Sequence, residues 1–148
     1  MATSETLYFN EPHPPQDNAI EAFKVVEAQI KKEILRSRRD WDKHEPRMWA
    51  AAKDLTDEQL VDFDVSKDLV LVRSSPVSYG TIILGKIRIP ALADGHVHVR
   101  IHDPPNRGTE DCTFHSIFTD EGPVDENDRH THWNAIMSAE TPLEFFHE

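Results

Sequence analysis

At 148 residues and 17.0 kDa the chain has room for one domain and little more. Hydrophobic residues make up 38% and charged residues 29%, with five glycines, ten prolines and one cysteine, which excludes collagen-like and disulfide-scaffold classes. Sixteen Lys+Arg against 27 Asp+Glu give a formal charge of −11, so DNA, RNA and anionic membranes would repel it.

Residues 1–16 are polar and carry Pro12, Pro14 and Pro15, the pattern of an extended arm, with a single α+β domain expected over 17–148. Asp17 suits an N-cap, and Ile20, Phe23, Val26, Ile30 and Ile34 then recur at helical spacing. That stripe predicts a helix from about Asn18 to about Arg38. The basic run from Lys31 to Arg39 falls at its end, where cations complement the helix dipole, and reads as a solvated terminus. A second helix is expected near Pro46, carrying Met48, Trp49 and Ala52. Thr56-Asp57-Glu58-Gln59 fits a capping box for a third, with Leu60, Val61 and Phe63 apolar.

From Asp68 the hydrophobic period changes to two. Strands are expected at Leu69 to Arg73, ended by Ser74-Ser75-Pro76, then at Thr81 to Ile89, His96 to His102 and Cys112 to Thr119. Residues 120–129 read as an acidic loop, and Trp133 to Phe146 as a docked tail with a short helix ending before Pro142. Helices first and a strand meander second imply an α+β fold. The long helix and two short ones pack on one face of a four-stranded antiparallel β-meander.

Alternation assigns the faces. Val97, Val99 and Ile101 point one way on the third strand, with His96, His98, Arg100 and His102 opposite. Ile83, Ile87 and Ile89 join the core face from the second strand, leaving Lys86 and Arg88 on the other. On the fourth, Phe114 and Phe118 go to the core and Thr113 and His115 oppose them. The second face thus collects histidines and cations in an acidic chain. The plain reading is a solvent face, on which His98→Ala with Arg100→Ala leaves folding nearly intact.

Two chemical readings compete with it. In the first, Arg88, Arg100, His96, His102 and Trp133 hold a small anionic ligand, a carboxylate or phosphate. His98 and His115 would then serve as acid and base, with Arg100 stabilising negative charge. In the second, His96 and His98 bind a divalent transition metal, with His115, His130 or His132 as third ligand. His102 lies about 13 Å from His98 along a strand and cannot share that ion.

Asp94-Gly95-His96-Val97-His98-Val99-Arg100 resembles the strand-end His-x-His of dihydroorotases and other amidohydrolases. That family needs a barrel of about 250 residues, which this chain cannot supply. His96-x-His98 with His130-x3-Asn134 is faintly similar to the cupin histidine motifs, without the expected glutamate or glycine-rich turns. Asp62 to Ser66 follows an EF-hand-like entering helix, yet Lys67 and Arg73 stand where glycine and glutamate are required. Cys112 beside Glu110-Asp111 is disfavoured as a thiolate and reads as a small core residue.

The function expected from these features is a small intracellular interaction domain, cytoplasmic or nuclear, binding a protein or a small anion. It has no apolar stretch of membrane-spanning length. The alternative is a small acid–base or metal-dependent enzyme, isomerase- or lyase-like, with an anionic substrate on the His/Arg face. The interaction domain predicts a flat, open face; the enzyme predicts a deep cavity holding His98, Arg100 and His115.

Overall fold

A computed structural model describes residues 9–44, 46–104, 112–119, 126–127, 134–144 and 146. Helix α1 runs Asp17–His44, followed by a 3-10 helix at Pro46–Ala52 and two single helical turns, α2 (Asp57–Leu60) and α3 (Val65–Asp68). Four strands follow: β1 (Leu69–Val77), β2 (Gly80–Arg88), β3 (His96–Asp103) and β4 (Thr113–Ile117). They form one antiparallel sheet in the order β1-β2-β3-β4, so the fold is α+β. Among the described residues no helix is long and apolar enough to cross a membrane.

The stripe on α1 behaves as its spacing requires: Phe23, Val26, Ile30 and Ile34 are buried against the sheet, and Ile20 packs at the margin. The helix continues past Arg38 because that residue is not a solvated terminus. Its guanidinium donates to the carbonyls of Ala52 (3.2 Å) and Leu55 (2.8 Å) and pairs with Asp57, tying the following segment back onto α1. Trp49 Nε1 donates to Ser37 Oγ at 3.0 Å, a second tie across the same turn. The capping box at Thr56 forms as expected, with the Thr56 and Gln59 side chains each accepting the other's backbone N–H. Helix α3 is an additional turn started by Asp64, whose carboxylate accepts from Ser66 N, with Glu27 Oε2 accepting from Val65 N at 2.8 Å.

The first sheet face carries Val72, Gly85, Val99 and Ile117 in one cross-strand row, and Ile83, Ile101 and Phe114 in the next. Gly85 lets the helix settle close. A Cβ there would lie 2.4 Å from Phe23 Cζ and 2.8 Å from Phe23 Cε1, and Phe23 is fully buried. Gly85→Ala is therefore expected to cost about 1–3 kcal/mol by overpacking, read as a lower urea midpoint at unchanged slope. A midpoint equal to wild type would show that the ring yields freely.

Residues 9–16 border the sheet. His13 and Val72 exchange both backbone bonds (3.0 and 2.9 Å), and Asn10 N–H donates to Ser74 O at 3.1 Å. The outer edge of β1 is thereby covered. Strand β1 passes through Pro76 instead of stopping at Ser74, since an outermost strand tolerates proline's missing N–H on its outward side.

Two sequence-based expectations fail, one about a sheet face and one about the tail. Strand β4 breaks register between Ile101↔Phe114 and Arg100↔Ser116, leaving His115 as the extra residue of a bulge. One inserted residue reverses the alternation, so Phe114 stays on the core side while Phe118 turns to the second face, 6.1 Å from the His98 ring. The described tail residues 134–144 contain no helix. Met137 instead exchanges backbone bonds with His96 (2.8 and 2.7 Å) along the edge of β3.

Candidate functional site

Register places the second-face residues in cross-strand pairs: Arg88 with His96, Lys86 with His98, Leu84 with Arg100, and Ile82 with His102. Arg73 on β1 stands opposite Leu84 and so joins the Arg100 row. No carboxylate occupies a second-face position of β1, β2 or β3.

This face is neither flat nor open, because the C-terminal segment lies across it. Lys86 is 1% exposed, His98 1%, His96 5% and Arg100 7%. The Lys86 ammonium donates to the backbone carbonyls of Ser138 (3.0 Å), Ala139 (2.9 Å) and Thr141 (2.7 Å), which uses all three of its N–H donors. Arg73 Nη1 donates to Leu143 O at 2.8 Å, and Arg100 Nη1 to Phe146 O at 2.5 Å. Leu143 and Phe146 bury their side chains against Ile82 and Leu84, with Leu71, Val77 and Phe118 at the margin. The Phe146 ring lies 5.2 Å from Phe118 and 5.7 Å from the Arg100 guanidinium carbon. Ser138 and Thr141 brace the turn: Ser138 N–H donates to Thr141 Oγ1 at 3.0 Å, and Thr141 N–H to Ser138 O at 3.2 Å.

Burial sets the electrostatics. It pushes His98 down to about 3, helped by the neighbouring Lys86 and His96 charges, so the ring is neutral at pH 7. His98 Nε2 is buried with no hydrogen-bond partner among the described residues. His96 is also lowered, first by burial and then by Lys86, while Asp94 at 3.5 Å from Nδ1 opposes this. Lys86 is itself lowered by burial, with Asp94 acting in the other direction. Substituting His98 and Arg100 by alanine is accordingly no surface change, contrary to the solvent-face expectation: it removes two buried side chains and one tail anchor.

The predicted site residues separate into three groups. His96, His98 and Arg100 lie together under the tail. His102 donates to Tyr79 O at 2.5 Å and stacks on His115, with centroids 5.7 Å apart and planes 9° from parallel. His115 therefore joins His102 at the β4 bulge, four residues along β3 from His98. Arg88 binds the buried Asp68 carboxylate at 2.8 Å and is half exposed. Trp133, His130 and His132 lie outside the described residues.

For the metal reading, no group of three His, Cys, Asp or Glu among the described residues is placed to hold an ion. His96 and His98 instead face the Lys86 ammonium, which repels a second cation. Cys112 is buried, its thiol 3.5 Å from Asp103 Oδ1. A cleft of about 440 Å³ opens elsewhere, between the N-terminal arm, the start of α1 and the β1–β2 end, and holds none of the predicted residues. Another of about 230 Å³ between α1 and β4 takes in His115 without His98 or Arg100.

Sequence reading missed Arg73 and Phe118 as members of this site, and placed Lys86 on the face without its burial. A signal was present in β2, where Ile82 and Leu84 share a face with Lys86. A strand apolar on both faces is buried on both. Comparison of the chain with protein-family models, with curated proteins and with solved structures finds no match, so the geometry of this face is the ground for any functional reading.

Proposed function

We propose that this chain is an interaction domain whose second sheet face binds an extended polypeptide segment, a place held in this conformation by its own C-terminus. One observation carries the reading: five backbone carbonyls of the tail, those of residues 138, 139, 141, 143 and 146, accept from Lys86, Arg73 and Arg100. Carbonyl capture from a sheet face is indifferent to sequence, while the seats of Leu143 and Phe146 supply selectivity, as in other modes of extended-peptide recognition. The acid–base alternative has less support. A histidine held to about 3 is a weak base at neutral pH, and His115 stacks on His102 instead of joining His98 and Arg100.

A tethered segment acts at an effective concentration on the order of millimolar, so the wild-type chain should bind a free copy of its tail weakly. Leu143→Ala with Phe146→Ala empties both apolar seats and opens the face. A labelled peptide of residues 138–148 is expected to bind this opened chain saturably by fluorescence anisotropy, and at least about tenfold more tightly than it binds wild type. Lys86→Met added to the opened chain should remove that binding. Absence of saturable binding to a folded opened chain sinks the reading.

A further inference from the structure

The first sheet face changes character toward the start of α1. Its rows are apolar through Val72, Gly85 and Val99 and through Ile83 and Ile101, whereas the next cross-strand pair, Thr81 with Asp103, is polar on both strands. Ser74, opposite Ile83, adds a hydroxyl beside them. Thr81 and Asp103 are partly buried and line the cleft of about 440 Å³, which falls within the size range of ligand sites.

The walls of this cleft are held in place. Gly80, at φ +96°, lets the β1–β2 turn close on Asp103, where a Cβ would run into the Asp103 carbonyl oxygen. On the other side the arm is fixed by side chains as well as main chain. Ser74 N–H donates to Asn10 Oδ1 at 2.8 Å, and His13 Nδ1–H donates to Pro14 O at 2.8 Å.

The lining specifies the ligand's chemistry. Among the described residues no lysine or arginine lines the cleft, and Asp103 brings a carboxylate whose Oδ1 accepts from the Cys112 thiol at 3.5 Å. The opposing field is the N-terminus of α1, roughly half a positive charge. Asp17 in the first turn offsets it, and Asn18 Oδ1 and Gln16 O accept the N–H groups of Ala19 and Ile20 at 2.9 and 3.0 Å. The carboxylates of Asp17 and Asp103 together outweigh about half a charge, so the cleft favours a cation. The amides of Gln16 and Asn18 and the hydroxyls of Ser74 and Thr81 both donate and accept, which matches hydroxyl groups. Val72 and Ile83 offer carbon atoms an apolar floor.

We propose that this cleft binds a small hydroxylated ammonium compound of the amino-sugar type, with its ammonium on Asp103 and its hydroxyls on Thr81, Ser74 and Gln16. The site lies on the opposite sheet face from the C-terminal segment, so it stands or falls independently of peptide binding.

Glucosamine, glucose and glucuronate share one ring and differ in charge, and each is titrated into the isotope-labelled wild-type chain at pH 6.5. Amide shifts of Asn18, Ser74 and Thr81 should saturate with glucosamine at a Kd of about 1 mM, with glucose at least about fivefold weaker and glucuronate weaker still. Asp103→Asn should remove the advantage of glucosamine over glucose. Gln16→Ala, a change at an exposed position, should weaken both about threefold. Absence of saturation at these three amides, equal affinities for the three sugars, or tighter glucuronate binding each overturns the proposal. A folded Asp103→Asn chain that keeps the wild-type preference overturns it too. Should that variant not fold, the order of the three sugars on wild type and the Gln16→Ala loss decide.

Discussion

Acidification from pH 8 to pH 4 is expected to strip about 3 kcal/mol of stability from the folded, tail-docked state through His98 alone. The ordinary histidine value is 6.5, and burial beside Lys86 and His96 holds His98 to about 3 in the structure. Between those two values the unfolded or tail-released chain binds a proton that the docked state refuses. Stability is therefore fully present above about pH 6.5 and falls as pH drops toward 3. Complete loss amounts to about 4–5 kcal/mol, on the conversion of about 1.4 kcal/mol per unit. His96, lowered for the same reasons, acts in the same direction.

Urea unfolding of wild type and His98→Leu at pH 8, 6, 5 and 4 measures this difference. The variant should lose less stability on acidification, although carboxylates titrate in both proteins. Parallel profiles, or an imidazole that titrates near pH 6.5 by NMR, refute the assignment of a neutral buried ring.

The second large effect is in the main core. Phe23→Ala is expected to cost about 3–5 kcal/mol, because a fully buried ring is lost and the rigid sheet below it cannot collapse into the space. The ring lies over Gly85, so the two positions are coupled. Gly85→Ala overpacks wild type, but in Phe23→Ala its methyl enters the vacated volume. The double variant should accordingly be more stable than the sum of the single effects, by an interaction energy of about 0.5–2 kcal/mol. Strict additivity would place the Phe23 ring away from Gly85.

Much of the fold was legible because its signals are local and repeat. The α1 stripe from Phe23 to Ile34 has the helical period, and Val97, Val99 and Ile101 alternate cleanly, so the helix, its buried face and the core side of β3 follow from side-chain order. The Thr56 capping box needs only four residues to declare itself, and it forms. Strand β4 misled for an equally physical reason. A bulge at His115 changes which face every later residue takes, and no side chain in Cys112 to Thr119 announces the extra residue. Phe118 consequently sits on His98 and Phe146 instead of in the main core.

The candidate site was half legible. Parity alone collected Lys86, Arg88, His96, His98, Arg100 and His102 on one face, and the structure keeps them there. Parity does not tell whether that face meets water. The apolar residues Ile82 and Leu84 beside Lys86 argued for burial, and the histidines and arginines drew the opposite reading.

The amino-acid order by itself determined the α+β class, the helix that covers the first sheet face and the sidedness of β2 and β3, since each depends on side-chain periods within one element. Only the tertiary structure decided that the second face is closed, that Lys86 is buried and that His98 is held neutral. The contacts responsible join residues 52 to 55 positions apart, from Lys86 to Ser138, Ala139 and Thr141. They end on backbone carbonyls, which every residue carries alike, so no letter in the tail records them. Their formation depends on how the chain returns across the sheet, a property of the folded whole.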